Sequence, residues 1–330
     1  MKTGAQQCLP RVWLFTRIFL SPVLGLAIVV LLCRSVAWSI GTQPALGLTT
    51  EAVVVQHQQA AAVKLSSADL LFIGDSTCLM NLDLSTIPSR FHSLNLGTLS
   101  ILPLPSFADL VAQFTQTNAG EPPCIVLLIS PAMIEQESSR SRASAPEAPL
   151  ERSGLLVLRN WVQHLVPVPL PGKYGPFYGF NQGLERYMQK HRGSAVDPGT
   201  LGISTKRSSV IRIGASFREQ CREFRRRLPP HKQLLVGLAP ISREQVGSAF
   251  GPQHYALTCQ LNDLVGGDHP LALPAIYPAL FFASITHLKQ EVRPAYTRTV
   301  WQAIESVLEA PAEKATNAIS MAKAAPRHEP

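Results

Sequence analysis

Two residues near opposite ends of the chain, Ser76 and His287, have the types and surroundings needed for nucleophilic catalysis. Ser76 directly follows a short apolar run and a Gly-Asp turn, and His287 lies in a loop before the last predicted helix. A serine hydroxyl becomes a nucleophile when a nearby base takes its proton, and a histidine can later return that proton to the leaving group. The pair therefore predicts acyl-transfer chemistry, with Ser76 as nucleophile and His287 as general base.

Each candidate also has an ordinary structural explanation. Ser76 could simply cap the helix that follows the turn, and a loop histidine is often only a hydrogen-bonded loop residue. His269, in the glycine-rich segment 266–270, is the second choice for the base. The catalytic interpretation is favoured because open α/β sheets place their sites at the carboxyl ends of strands, which is where Ser76 is expected.

Short apolar runs alternate with amphipathic segments along the part of the chain that must position these residues. The predicted strands are 70–73, 91–95, 124–129 and 234–238, and the predicted helices are 106–118, 209–228 and 292–308. Strands that alternate with helices predict an α/β fold in which a parallel sheet is covered by helices on both faces. We expect the four strands to be neighbours in one sheet.

Composition excludes several classes of protein. With 330 residues, of which 46% are apolar and 16% charged, the chain can bury one large core or two and is not disordered, collagen-like or a coiled coil. The net charge is +8, but four basic residues precede the first acid, Glu51. The 26 basic and 22 acidic residues of the remaining chain are nearly balanced, so no nucleic-acid partner is predicted.

The first forty residues have the pattern of a membrane leader. Residues 12–33 are mostly apolar, with Arg17 as the one charge, and are long enough to span a lipid bilayer. Three basic residues, Lys2, Arg11 and Arg17, precede the uncharged run 18–33, and one follows it. This asymmetry favours a cytoplasmic N-terminus and an extracytoplasmic main domain. The alternative is a signal peptide cleaved near residues 35–37, which would leave a secreted or periplasmic protein.

The rest of the chain divides into a stalk at 41–66, a main domain at 67–308 and a disordered tail at 309–330. Residues 138–208 interrupt the alternation of strands and helices, and we interpret them as an insertion that forms a cap or a partner surface. Its very apolar piece, 155–170, would either pack in the core or lie on the membrane face.

The cysteines do not show metal-ligand spacing, so no metal site and no cofactor are predicted. The four cysteines beyond the leader could form up to two disulfides, and their pairing stays open. They are Cys78, Cys124, Cys221 and Cys259.

Three short blocks give the chain a more specific resemblance. They are Gly74-Asp75-Ser76, Asn95-Leu96-Gly97, and His287-Leu288 followed by Tyr296-Thr297. In order and distance they resemble the SGNH (GDSL-type) hydrolase family over residues 67–308. The chain is most similar to the family's membrane-anchored branch, which is associated with membrane-bound O-acyltransferases and acts on cell-surface polymers.

This resemblance implies a three-layer α/β/α sandwich with Ser76 as nucleophile and His287 as base. It also implies an oxyanion hole formed by the backbone amides of Ser76, Gly97 and Ser100. The family's last block has an aspartate three residues before the histidine, and this chain has Ser284 there. A serine hydroxyl can orient the imidazole but cannot offset its positive charge, so we expect a slow enzyme.

The function expected from these patterns is a serine-dependent acyl-ester hydrolase or O-acyltransferase. From the resemblance, its substrate would be an acylated surface polysaccharide or a lipid-linked polymer, and a membrane-bound O-acyltransferase would be its partner. The alternative is an accessory protein that keeps an SGNH fold without catalysis and binds a glycan or an O-acyltransferase. A block at 130–133 without the family's usual asparagine, together with Ser284, favours that alternative.

Overall fold

The computed structural model describes residues 50–64, 66–98, 102–118, 123–140, 175–178, 181–199, 211–246 and 250–324, with five isolated positions between 22 and 31. Within these ranges there is no helix that combines the length and the apolar character needed to cross a membrane. Most of the predicted membrane segment 12–33, the cleavage site at 35–37 and the apolar piece 155–170 lie outside the described residues.

Nine α-helices have bounds within these ranges. They are α1 Thr50–Ala62, α2 Ser76–Asn81, α3 Pro105–Thr117, α4 Pro131–Arg140, α5 Gly175–Tyr178, α6 Asn181–Lys190, α7 Ala215–Arg227, α8 Phe250–Val265 and α9 Arg293–Ala324. The strands are β1 Leu70–Gly74, β2 Ser93–Asn95, β3 Cys124–Ile129, β4 Gln233–Leu238, β5 Ile241–Ser242, β6 His269–Pro270 and β7 Ile276–Tyr277.

The central sheet has five strands in the order β2-β1-β3-β4-β6, and each neighbouring pair is parallel. The prediction that four strands form one parallel sheet is confirmed. The fifth strand, β6, was not predicted because it has only two residues and no apolar run. A second, two-stranded sheet joins β5 and β7.

Both faces of the sheet are buried, which explains why β1 and β3 are continuous apolar runs. Alternate side chains of these strands face opposite sides, since successive residues of a strand point in opposite directions. Leu71 and Ile125 pack in a core with side chains of α3, α7 and α8. Leu70 and Val126 pack in a second core with side chains of α9. The protein is therefore an α/β fold with helices on both sides of a parallel sheet.

Part of the predicted stalk, residues 50–62, belongs to the body of the domain. Residues 50–62 form α1, and Val54, Gln58 and Ala62 are buried at a spacing of four residues, which places them on one face of the helix. The Gln58 side-chain amide donates hydrogen bonds to the carbonyl oxygens of Gly97, at 2.6 Å, and Gly193, at 3.2 Å. The polar run of residues 56–59 is typical of a solvated stalk, but it lies in α1, and Gln58 is the one buried residue among these four.

The C-terminal segment also differs from expectation. Helix α9 continues to Ala324, although a disordered tail was predicted from residue 309. This segment is rich in alanine and lysine, which favour helix.

The described part of the insertion packs on the domain, where Leu184 and Met188 form a small apolar cluster with residues of α1 and α2. The insertion thus brings its loop 191–199 next to the helix that begins with Ser76.

The four cysteines beyond the leader are free thiols, so the disulfides that their number allowed do not form in this structure. Cys78, Cys124 and Cys221 are buried. Each of the four lies on a different helix or strand, and burial raises the pKa of Cys124 and of Cys221 to about 12.

Candidate active site

Ser76 lies at a sharp turn where β1 ends and α2 begins. Gly74 closes the strand with a φ of +149°, and a Cβ atom at this position would lie 1.8 Å from the carbonyl oxygen of Leu128 on the neighbouring strand. Only glycine allows the backbone to approach this closely and then leave the sheet. The turn places Ser76 as the first residue of α2, at the carboxyl edge of the sheet, with 7% of its surface exposed.

The Asp75 carboxylate fixes this turn to the next strand. One oxygen accepts hydrogen bonds from the backbone N–H and the hydroxyl of Thr77, at 2.9 and 2.6 Å. The other accepts from the backbone N–H and the hydroxyl of Ser130, at 2.9 and 2.7 Å, directly after β3. Asp75 is fully buried, and because its acceptor sites are used it serves as a helix cap and a brace for Ser76.

The His287 ring lies next to Ser76, although the two residues are 211 positions apart in the chain. The ring Nε2 is 2.9 Å from the Ser76 Oγ. His287 belongs to a narrow loop before α9, where the backbone N–H of Ala283 donates to the His287 carbonyl at 2.8 Å. The structure therefore brings together the two residues that the sequence indicated as nucleophile and base.

The other ring nitrogen of His287 meets a carboxylate that the sequence did not indicate. The His287 Nδ1 is 2.6 Å from the Asp197 Oδ2, and Asp197 comes from the insertion loop. Ser284, the expected orienting residue, lies near the same nitrogen, with its Oγ at 3.1 Å. The expectation that no carboxylate would face this ring was wrong, because the acid comes from a distant segment and not from the position three residues before the histidine.

These contacts fix the arrangement of hydrogens on the ring. A carboxylate can only accept, so the His287 Nδ1 carries the hydrogen and donates it to Asp197. The His287 Nε2 then has a free lone pair and accepts a hydrogen bond from the Ser76 hydroxyl. This is the tautomer that a general base acting on Ser76 requires.

Asp197 is held as a charged group despite its burial. Only 2% of its surface is exposed, and burial alone would raise its pKa. Hydrogen bonds from His287 and Ser284, the attraction of the imidazolium and the backbone N–H of Gly199 outweigh burial and hold the pKa of Asp197 below its usual value. The carboxylate is therefore ionised at neutral pH and can offset the positive charge of a protonated His287.

The loop that carries Asp197 is fastened on both sides. The Tyr178 hydroxyl accepts from the Val196 backbone N–H at 2.7 Å and donates to the Val196 carbonyl at 2.8 Å. The Asn95 side-chain amide donates to the Ser194 hydroxyl at 3.0 Å and to the Cys78 carbonyl at 2.8 Å. These bonds tie Asp197 to the end of β2 and to α2, so its position is set by the same part of the sheet that carries Ser76.

Three backbone amides, those of Ser76, Gly97 and Ser100, were expected to form an oxyanion hole, and one of them is free to do so in the described structure. The backbone N–H of Ser76 makes no hydrogen bond to any described residue and remains free for an oxyanion. The Gly97 amide is not free, because it donates to the Asn95 Oδ1 at 2.8 Å. A Cβ atom at Gly97 would lie 2.6 Å from the backbone nitrogen of Leu79, so this glycine allows the loop after β2 to pack closely against α2. Ser100 lies outside the described residues.

The second-choice histidine lies far from this group. His269 is in the edge strand β6, which two intervening strands, β3 and β4, separate from β1. Three strand spacings correspond to about 14 Å, which is too far for proton transfer from Ser76. The described part of the chain contains no cluster of histidine, cysteine, aspartate or glutamate that could hold a metal ion.

Asp197 is the site residue that the sequence did not indicate. It lies in an irregular segment of the insertion, 90 residues before the histidine that it contacts, and no periodic pattern or motif marks it.

Neither family models, nor curated proteins, nor solved structures give a match to this chain. The geometry of Ser76, His287 and Asp197 is therefore the main support for a function.

Proposed function

We propose that the protein is a serine-dependent acyl-ester hydrolase or O-acyltransferase with an SGNH-type three-layer α/β/α sandwich. One observation carries the proposal: a continuous line of hydrogen bonds runs from the Ser76 hydroxyl through the His287 ring to the Asp197 carboxylate, at 2.9 and 2.6 Å. A nucleophile, a base and an acid in this order form the arrangement that activates serine in unrelated hydrolases.

The first half of the proposed reaction forms an acyl-enzyme. His287 Nε2 takes the proton of the Ser76 hydroxyl while the Ser76 Oγ attacks the carbonyl carbon of an ester. The Ser76 backbone N–H donates to the oxyanion, and Asp197 stabilises the imidazolium. When the carbon–oxygen bond to the alcohol breaks, His287 gives its proton to the leaving alkoxide, and the acyl group remains on Ser76.

The second half releases the acyl group. A water molecule, or the hydroxyl of an acceptor, loses its proton to His287 and attacks the acyl carbonyl. The bond to Ser76 breaks, the serine oxygen regains the proton from His287, and the acid or the new ester leaves. The same three residues serve both a hydrolase and a transferase, because the two activities differ only in the attacking oxygen.

The proposed substrate and location rest on the sequence. The resemblance to the membrane-anchored SGNH branch supports an O-acylated cell-surface glycan or lipid-linked polymer as substrate and a membrane-bound O-acyltransferase as partner. The apolar segment 12–33 supports a single anchor in the lipid bilayer, with the domain outside the cytoplasm; cleavage near residues 35–37 would make it secreted or periplasmic.

The alternative function, a non-catalytic accessory protein with the same fold, was favoured by the missing aspartate. Asp197 supplies a carboxylate at the His287 Nδ1, which supports the enzymatic function.

The test is hydrolysis of p-nitrophenyl acetate by the purified protein and by its Ser76→Ala variant. We expect the variant to fall to the rate without enzyme; equal rates for both proteins would contradict the proposal and leave the accessory function.

A further inference from the structure

The side chain of Asn81, the last residue of α2, contacts the backbone on both sides of His287. Its Nδ2 donates to the carbonyl oxygen of Thr286 at 3.1 Å, and its Oδ1 accepts from the backbone N–H of Leu288 at 2.8 Å. Asn81 and Leu288 are fully buried. One amide group therefore satisfies a donor and an acceptor that flank the proposed base.

The same helix carries the nucleophile at its other end. Helix α2 has six residues, from Ser76 to Asn81, so its ends are about 7.5 Å apart. Ser76 and Asn81, whose side-chain amide bonds the backbone on both sides of His287, are thus joined by about one and a half turns of helix. We propose that Asn81 is a positioning residue that sets the distance between the Ser76 Oγ and the His287 Nε2; this inference rests on the proposed function.

The internal bonds of the histidine loop do not by themselves place it against α2. The Ala283 N–H donates to the His287 carbonyl, and Phe282 pairs with Leu288 in an isolated antiparallel bridge. These contacts shape the loop but join it only to itself. Asn81 makes two hydrogen bonds that join the backbone of residues 286 and 288 to the helix of the nucleophile.

A primary amide is well suited to this role because it presents a donor and an acceptor in one plane. Alanine at position 81 would leave the Thr286 carbonyl and the Leu288 N–H without these partners. The loop would then relax, and a displacement of the base of about 1 Å is enough to lower a rate by about 10²-fold.

The test compares Asn81→Ala with a matched control, Thr297→Val. The Thr297 hydroxyl accepts from the Asp83 N–H at 2.8 Å, close to the same end of α2, and donates to the Arg293 carbonyl at 2.9 Å. Each variant loses two side-chain hydrogen bonds. We expect Asn81→Ala to lower kcat on p-nitrophenyl acetate by about 10²-fold with KM within twofold, and Thr297→Val to keep the kcat of the wild type.

Asn81→Asp is a second variant in case Asn81→Ala does not fold. It keeps the shape of the side chain and the acceptor for Leu288, and it loses the donor to Thr286. We expect it also to lower kcat with KM unchanged. An unchanged kcat in folded Asn81 variants, or an equal loss in Thr297→Val, would overturn the inference, because either result assigns Asn81 a merely structural role.

A measurement without turnover separates this inference from the proposed function. If the wild-type protein shows no Ser76-dependent hydrolysis, the proposed function fails, and the ring nitrogen NMR signals of His287 then test the positioning alone. We expect these signals to shift in Asn81→Ala, because the ring changes its distance from Ser76, and to stay in place in Thr297→Val. Unchanged His287 signals in Asn81→Ala would overturn the inference.

Discussion

The Asp197 carboxylate accepts a 2.6 Å hydrogen bond from His287, although the two residues are 90 positions apart. In the SGNH family that the sequence resembles, the aspartate precedes the histidine by three residues. Here Ser284 has that position, and its hydroxyl lies 3.1 Å from the same ring nitrogen. A catalytic triad is defined by geometry and not by the order of its residues, so an acid from another loop can serve the same ring.

Replacement of Asp197 by asparagine should strongly reduce activity. The asparagine amide can donate to the His287 Nδ1, which favours the tautomer with its hydrogen on Nε2, and it cannot offset the imidazolium charge. The equivalent change in a serine protease lowers kcat by about 10⁴-fold, and we expect a loss of 10²- to 10⁴-fold here. The measurement is kcat on p-nitrophenyl acetate, with Ser284→Ala as the control, for which we expect a loss of less than about tenfold. Similar losses in the two variants would contradict the assignment of Asp197 as the acid.

A carboxylate at position 284 should restore part of the activity lost without Asp197. The double variant Asp197→Ala with Ser284→Asp places an acid three residues before His287, near the Nδ1. We expect about tenfold more activity than in Asp197→Ala alone, since the new carboxylate can accept from the His287 Nδ1 and offset the charge of the imidazolium. If the double variant is no faster than Asp197→Ala, the geometry of the insertion loop matters more than the charge.

Asp197 should also make stability depend on acid pH. The pKa of Asp197 is lowered in the folded protein because hydrogen bonds from His287 and Ser284 outweigh the effect of burial. Because its pKa is lower in the folded state, the ionised Asp197 contributes stability that is fully present above the unfolded-state pKa, near 3.8. This contribution is lost as the pH falls through the folded-state pKa. We expect the difference in Tm between wild type and Asp197→Asn to shrink as the pH falls below about 4. A difference that grows as the pH falls below about 4 would contradict this sign.

Gly74→Ala should destabilise the fold by about 2–4 kcal/mol. The new Cβ would lie 1.8 Å from the Leu128 carbonyl oxygen, at a φ of +149° that disfavours alanine. Gly251 in α8 provides a matched control, since no atom lies within 4 Å of a Cβ at that position, and alanine there should be neutral or stabilising by up to about 1 kcal/mol. Urea unfolding of both variants measures the effect, and equal midpoints would show that the turn at Gly74 tolerates a side chain.

Tyr178→Phe should loosen the loop that carries Asp197. The variant removes a hydroxyl that bonds both the N–H and the carbonyl of Val196. Leaving these groups without their partner should cost about 1–3 kcal/mol of unfolding free energy, together with a smaller loss of kcat than in Asp197→Asn. Thermal unfolding and kcat measured on the same preparations test this, and a variant with wild-type Tm and kcat would show that other contacts hold the loop.

The elements that the sequence predicted best are those with continuous local signals. Strands β1 and β3 were evident because parallel strands buried on both faces are uninterrupted apolar runs, and Ser76 was evident because it follows one of them. Strand β6 has only two residues, His269 and Pro270, and carries no such signal. Asp197 was missed because its role depends on a tertiary contact between an irregular loop and a distant histidine, which no local pattern encodes. The buried role of Gln58 was missed for a related reason: a run of polar residues predicts exposure, and nothing local shows that one of them faces the core.

The wide separation of Ser76, Asp197 and His287 in the chain has a consequence for biosynthesis. Contacts between residues far apart in sequence close long loops, which makes them slow to form during folding. The histidine lies on the last loop before α9, so a growing polypeptide has no base until nearly the whole domain has been made. Under the proposed function, a chain still on the ribosome, or one that stops before residue 287, carries the serine but cannot activate it. Acyl-transfer activity would then appear only once translation and folding of the domain are complete.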